Sequence, residues 1–87
     1  MASIVVHGTR TCGYCFSAQR LLRARGIDFR YVDVTGDRVA RLSLYQRTGR
    51  TSVPQIWIGE QWIGGFEELE ALDESGELAA MTSPISG

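Results

Sequence analysis

The chain has 87 residues, 44% of them apolar and 22% charged, with a formal net charge of −1. That is enough for one domain near the lower size limit for folding unaided. The balanced charge gives no sign of a nucleic-acid or anionic-membrane partner, and no apolar run approaches the length of a bilayer span. In chain order, SIVVHG (Ser3–Gly8) is short, β-branched and apolar, which predicts a buried strand. CFSAQRLLRARG then puts Cys15, Ala18, Leu21 and Leu22 on one face and stops at Gly26, predicting a helix of about three turns. FRYVDV (Phe29–Val34) alternates as a second strand, so the first two strands should be parallel with a right-handed crossover. Thr35–Gly49 spaces Val39, Leu42 and Tyr45 helically between a candidate N-cap, Asp37, and a terminator, Gly49. PQIWIGEQWIGG (Pro54–Gly65) predicts a hairpin turning at Gly59-Glu60. Phe66–Gly76 predicts a third helix with Phe66, Leu69 and Leu72 inward, and the chain is expected to fray after about Leu78. The order β-α-β-α-β-β-α implies a four-stranded mixed sheet between helical layers, one domain over residues 1–87 with its core in about 3–78.

The only two cysteines, Cys12 and Cys15, stand two residues apart at the first strand-to-helix junction. That spacing suits a redox pair, half of a metal site or a structural staple. The opening MASIVVHG lacks the basic region and long apolar core of a secretory signal, so a cytoplasmic, reducing setting is expected. There a C-x-x-C is more often catalytic or metal-binding than a structural disulfide. A zinc site takes four ligands, and His7, on a predicted strand, is the one other strong candidate. Residues three apart on a helix are neighbours. Cys12 at or near the N-cap should be exposed to the positive helix end, and Cys15 should lie beneath it on the apolar face. The helix terminus contributes roughly 0.3–1 kcal/mol, up to ~2 when partly buried, about one unit of thiol acidification. A deeper shift would need N–H donors from Tyr14 and Cys15, or a cation such as Arg10.

TCGYC after a short strand, TSVPQIWI in mid-chain and IGGFEEL before the last helix together resemble the glutaredoxin family over about Ile4–Leu78. The resemblance implies a thioredoxin-like three-layer sandwich with sheet order 2-1-3-4 and glutathione-dependent thiol–disulfide exchange, with Cys12 attacking and Cys15 resolving. It implies a cis Val53-Pro54 bond facing the thiol, with the Val53 main chain pairing with glutathione. Gly65 and the amides of Phe66 and Glu67 would take the γ-glutamyl carboxylate, with Glu67 meeting the α-amino group. Arg41 is the matching candidate for the glycyl carboxylate, and Tyr14 would wall the groove.

Four positions depart from the family pattern. Glu67 replaces a shorter Asp or Ser, and Ser52 replaces threonine while keeping the hydroxyl. The family's lysine three residues before the first cysteine is Thr9 here, with the cation shifted to Arg10. Gly13 replaces proline and loosens the first turn. Some family members with small residues at the Gly13 position resemble [2Fe–2S] carriers, dimers in which the first cysteine of each subunit and two glutathiones hold the cluster. The resemblance therefore supports an oxidoreductase of protein disulfides and glutathione mixed disulfides, acting as a monomer without a bound metal. The alternative is a cluster carrier ligated by Cys12, and a chaperone-like module without a catalytic cycle is a weaker third reading. His7, Trp57 and Trp62 are expected to be packing residues.

Overall fold

The computed structural model describes residues 3–82. Its elements are β1 (Ile4–Gly8), α1 (Gly13–Ala24), β2 (Phe29–Asp33), α2 (Arg38–Thr48), β3 (Gln55–Ile58), β4 (Gln61–Gly64), α3 (Phe66–Ser75) and α4 (Glu77–Thr82). The four strands form one sheet in the order β2-β1-β3-β4. β1 runs parallel to β2, with Ile4 opposite Phe29, and antiparallel to β3, with Ile4 opposite Ile58. The mixed sheet and its strand order therefore agree with the sequence expectation.

Side chains alternate across a strand, so β1 and β3 each serve two faces. Ile4, Val6, Ile56 and Ile58 turn to one side and bury against Ala18 and Leu22 of α1, Leu69 of α3 and Leu78 of α4. Trp57 turns to the other side, where the Arg47 guanidinium of α2 stacks 4.6 Å from its ring centroid. Here the His7 ring meets Trp57 edge-on at 4.9 Å; burial, above all, pushes its titration down, with the Gln55 backbone opposing and Arg47 and Arg30 adding. At the far end of the molecule Arg25, the C-cap of α1, makes a bidentate pair with Asp73 of α3 at 2.8 Å for each bond.

One expectation needs correction. Ordered structure continues past Leu78 within the described residues: residues 77–82 form a fourth helix, because Leu78 is 1% exposed and plants that turn in the core. Residues 83–87 lie outside the described residues. The apolar residues that mark α2 in the sequence are not its buried face: Val39, Leu42 and Tyr45 are 81%, 57% and 50% exposed, while Leu44 is buried. The rotation of α2 is set by polar reach. Asp37 caps the Ala40 N–H at 3.0 Å, Arg41 donates to the Thr51 carbonyl at 2.9 Å, and Thr48 donates to the Gln55 amide oxygen at 2.9 Å. These bonds turn Leu44 inward and carry the apolar stripe out to solvent.

Candidate active site

Cys12 ends the loop after β1 and is the N-cap of α1, its backbone extended at φ −92° and ψ 116°. Its sulfur accepts the Cys15 N–H at 3.2 Å. A helix leaves its first amides unpartnered, and an N-cap side chain satisfies one of them. Here a sulfur does so and lies at the positive end of the helix. The Cys15 amide, rather than that of Tyr14, makes this bond. The thiol in turn donates to the Val53 carbonyl at 3.6 Å. Both cysteines are free, Cys12 half-buried and Cys15 buried.

Cys15 is 0% exposed. Burial and the bond to Cys12 push its titration up to about 11, against the opposing Thr9 backbone and Tyr31 hydroxyl. The two thiols are thus made unlike by position alone: one at a helix mouth, the other under a turn. Gly8 leaves the space that the lower thiol occupies. A Cβ at Gly8 would lie 2.7 Å from the Cys15 sulfur and closer still to the Tyr31 hydroxyl oxygen. That hydroxyl donates to the Thr9 carbonyl at 2.8 Å. Burial, first, and the neighbouring Cys15 push the Tyr31 phenol above its ordinary range.

Beside Cys12 runs an open groove of about 200 Å³ whose lining includes Tyr14, Ser52, Val53 and Pro54 on one side and Gly65, Phe66 and Glu67 on the other. The Val53-Pro54 peptide is cis. Gly65 rests against the Pro54 carbonyl, where a Cβ would come within 3.2 Å. The Tyr14 ring stacks on Phe66, with centroids 6.1 Å apart and 29° between the planes. Gly65 is the N-cap of α3, so the amides of Phe66 and Glu67 begin that helix and face this groove's end.

Two further groove residues were missed by the sequence reasoning, Arg50 and Glu68. One Glu68 carboxylate oxygen accepts from the Gly65 N–H at 2.9 Å and from the Arg50 guanidinium at 3.0 Å. The Gly65 amide, first, and Arg50 hold that carboxyl below its usual range. Gly64 (φ 106°) is pressed to the same side chain, whose Cδ would be 2.8 Å from a Cβ there. The available signal was the spacing: a carboxylate three residues after an N-cap is half of a capping box. Arg50 also stacks on Trp62 at 5.1 Å, and Trp62 opposes Trp57 across the hairpin.

The two predicted cations lie outside the groove. Arg10 is directed to the end of β2, pairing with Asp33 at 3.3 Å, while its N–H donates to Thr35 at 3.0 Å. Arg41 holds the Thr51 carbonyl. The loop between them and the proline is tied by Gln55, which is 1% exposed. Its amide nitrogen donates to the carbonyls of Arg50 at 2.8 Å and Ser52 at 3.1 Å.

The sequence profile of the glutaredoxin family ("Glutaredoxin") matches residues 4–63. The chain is 41% identical over 83 residues to a glutaredoxin of Pseudomonas aeruginosa, covering 95% of this chain and 99% of that one. It is 41% identical over 78 residues to glutaredoxin 3 of Escherichia coli, covering 90% and 94%. Its fold superposes on a dithiolic glutaredoxin of Trypanosoma brucei brucei with a TM-score of 0.86 at 36% identity, over 94% of this chain and 88% of that one. A buckwheat glutaredoxin solved as a glutathione complex gives a TM-score of 0.88 at 26% identity, over 94% and 77%.

Proposed function

Because the chain belongs to the glutaredoxin family, we propose that it is a cytoplasmic, glutathione-dependent thiol–disulfide oxidoreductase in which Cys12 attacks and Cys15 resolves. The observation that carries this reading is the unlike pair: a half-exposed sulfur at the start of α1 beside a groove, with a buried thiol one turn below it.

In the reaction, the Cys12 thiolate attacks the glutathionyl sulfur of a mixed disulfide. The protein–glutathione S–S bond breaks, a Cys12–glutathione bond forms, and the released thiolate takes up a proton. A second glutathione then displaces Cys12 and leaves as glutathione disulfide. With a protein disulfide, Cys12 instead forms a mixed disulfide with the protein. Cys15 attacks the Cys12 sulfur, a Cys12–Cys15 disulfide forms, and the substrate leaves as a thiol. Two glutathiones restore the reduced pair.

Loss of the Cys12 proton also ends its donation to Val53. The freed carbonyl, with the Val53 N–H, can then pair with the cysteinyl main chain of the tripeptide. The amides of Phe66 and Glu67 take the γ-glutamyl carboxylate, and the Glu67 side chain meets the α-amino group. Ser52 and Tyr14 line the walls between. Arg41 serves the glycyl carboxylate after releasing Thr51, and Arg10 contributes only to the surrounding field.

Replacing each thiol in turn tests the reading. Cys12→Ser should abolish glutathione-dependent turnover of a glutathionylated peptide and of a protein disulfide. Cys15→Ser should keep the first reaction and lose the second. Full activity in Cys12→Ser would overturn the assignment. The same anaerobic preparations should be colourless. Gly13 has open space around it, with no atom within 4 Å of a Cβ placed there. Visible absorbance lost in Cys12→Ser would therefore favour a glutathione-bridged [2Fe–2S] dimer instead.

A further inference from the structure

Apart from Arg41, the outer face of α2 has no role in the chemistry just described, yet its composition is unusual. Val39, Leu42 and Tyr45 are three residues apart in turn, so they form one continuous exposed stripe. Grouped exposed apolar side chains mark interaction surfaces where scattered ones do not. Around the stripe basic residues prevail: residues 37–50 contain four of the chain's nine basic residues and one of its ten acids, Asp37, whose carboxylate caps the Ala40 N–H. Arg50 is paired with Glu68. Among the described residues, Arg38, Arg41 and Arg47 form no ion pair: Arg41 is bound to a neutral carbonyl and Arg47 lies on a neutral ring. Their positive charge is therefore uncompensated on a molecule whose net charge is −1.

This face is continuous with the reacting sulfur. Arg41 holds the Thr51 carbonyl, and the Val53 carbonyl, two residues on, accepts from Cys12. Two residues of extended chain span about 7 Å. A polypeptide whose cysteine reaches Cys12 over Val53 would pass across α2.

We propose that the outer face of α2 docks the protein substrate, selecting cysteine-containing segments that carry acidic residues and a bulky apolar side chain near the reacting cysteine. The proposal rests on the thiol-exchange reading and names the partner chemistry of the same site. Apolar side chains of the segment would cover Val39 and Leu42, and its carboxylates would face Arg38. Small glutathione mixed disulfides, which carry no polypeptide over Val39 and Leu42, would not sense this stripe.

The test compares two synthetic glutathionylated peptides that differ only in Glu-to-Lys exchange around a central Leu and Cys, alongside the mixed disulfide of glutathione with 2-mercaptoethanol. The native chain should show a kcat/KM at least about threefold higher for the acidic peptide than for the basic one, as expected of exposed charge pairs. The difference should shrink with added salt. Arg38→Glu and Leu42→Ser, both at exposed positions, should each reduce the preference while leaving turnover of the small mixed disulfide unchanged, which also reports intact folding. Equal rates for the two peptides, or a preference that survives both substitutions, would overturn the proposal. A concentration-dependent dimer that Leu42→Ser dissociates would assign the face to a second copy and overturn it equally. No turnover of any substrate by the native chain would overturn the underlying thiol-exchange reading instead.

Discussion

At the scale of single residues, the site depends on a residue that never meets substrate. Gly8 lies where Tyr31 and Cys15 converge, and any side chain there would occupy the place of both. Gly8→Ala should therefore displace the resolving thiol, the tyrosine, or both. Overpacking of this kind costs about 1–3 kcal/mol. Urea unfolding of the reduced protein checks the stability loss. Reduction of a protein disulfide, in which Cys15 is proposed to resolve, should fall further than removal of glutathione from a small mixed disulfide. An unchanged midpoint would mean that the tyrosine and thiol yield without cost. Of these residues, the cysteines were legible from spacing alone, since three residues of helix make neighbours. The contribution of Gly8 was not, because it arises from side chains on β2 and α1 that meet over β1.

Among the elements, the loop between α2 and β3 does most to shape the groove, and it is held by side chains from outside it. Gln55→Leu should remove the bonds that its amide makes to the Arg50 and Ser52 carbonyls, while the Thr48 hydroxyl keeps the Leu44 carbonyl. Each such net hydrogen bond contributes about 0.5–1.5 kcal/mol. Denaturant unfolding should show that loss, and the KM for glutathione should rise because Val53 lies in this loop. The sequence announced the limits of the neighbouring helix well: Asp37 and Gly49 are its N-cap and C-cap, the latter left-handed at φ 77°. It did not announce the helix's rotation. Periodicity records that Val39, Leu42 and Tyr45 share a face, but which face meets the sheet is decided by the reach of Arg41 and Thr48 into the following loop. Gln55 was hidden in the same way, as a polar residue within an apolar strand whose partners are main-chain carbonyls. Pro54, Gly65 and Phe66 were legible because they belong to short motifs, whereas Arg50 and Glu68 work as a pair 18 residues apart.

At the scale of the whole molecule, the buried thiol ties stability to its protonation. Cys15 has an ordinary value of 9.0 and titrates at about 11 in the folded protein, chiefly through burial. The folded state thus keeps a proton that the unfolded chain releases. This contribution is complete below about pH 9 and is lost as pH rises from there to about 11. The slope cannot exceed ~1.4 kcal/mol per pH unit for one proton. Tyr31, raised in the same direction, extends the loss to higher pH. Urea unfolding of reduced protein across that range should show a falling midpoint, with a shallower fall in Cys15→Ser. A parallel fall in both would remove Cys15 as the cause. The global arrangement was legible through the alternation of strand and helix signals. Its last helix was not, because Glu77–Thr82 is too short to carry a period and is held by Leu78 filling space between α1 and α3.

The tethers on the loop before Pro54 share a chemical feature. Gln55 and Arg41 grip the main-chain oxygens of Arg50, Thr51 and Ser52, and every amino acid supplies the same oxygen. The path of the chain there is accordingly indifferent to which side chains it displays. A lineage, or a protein engineer, is free to exchange residues 51 and 52 and retune what the enzyme prefers while the proline stays where it is.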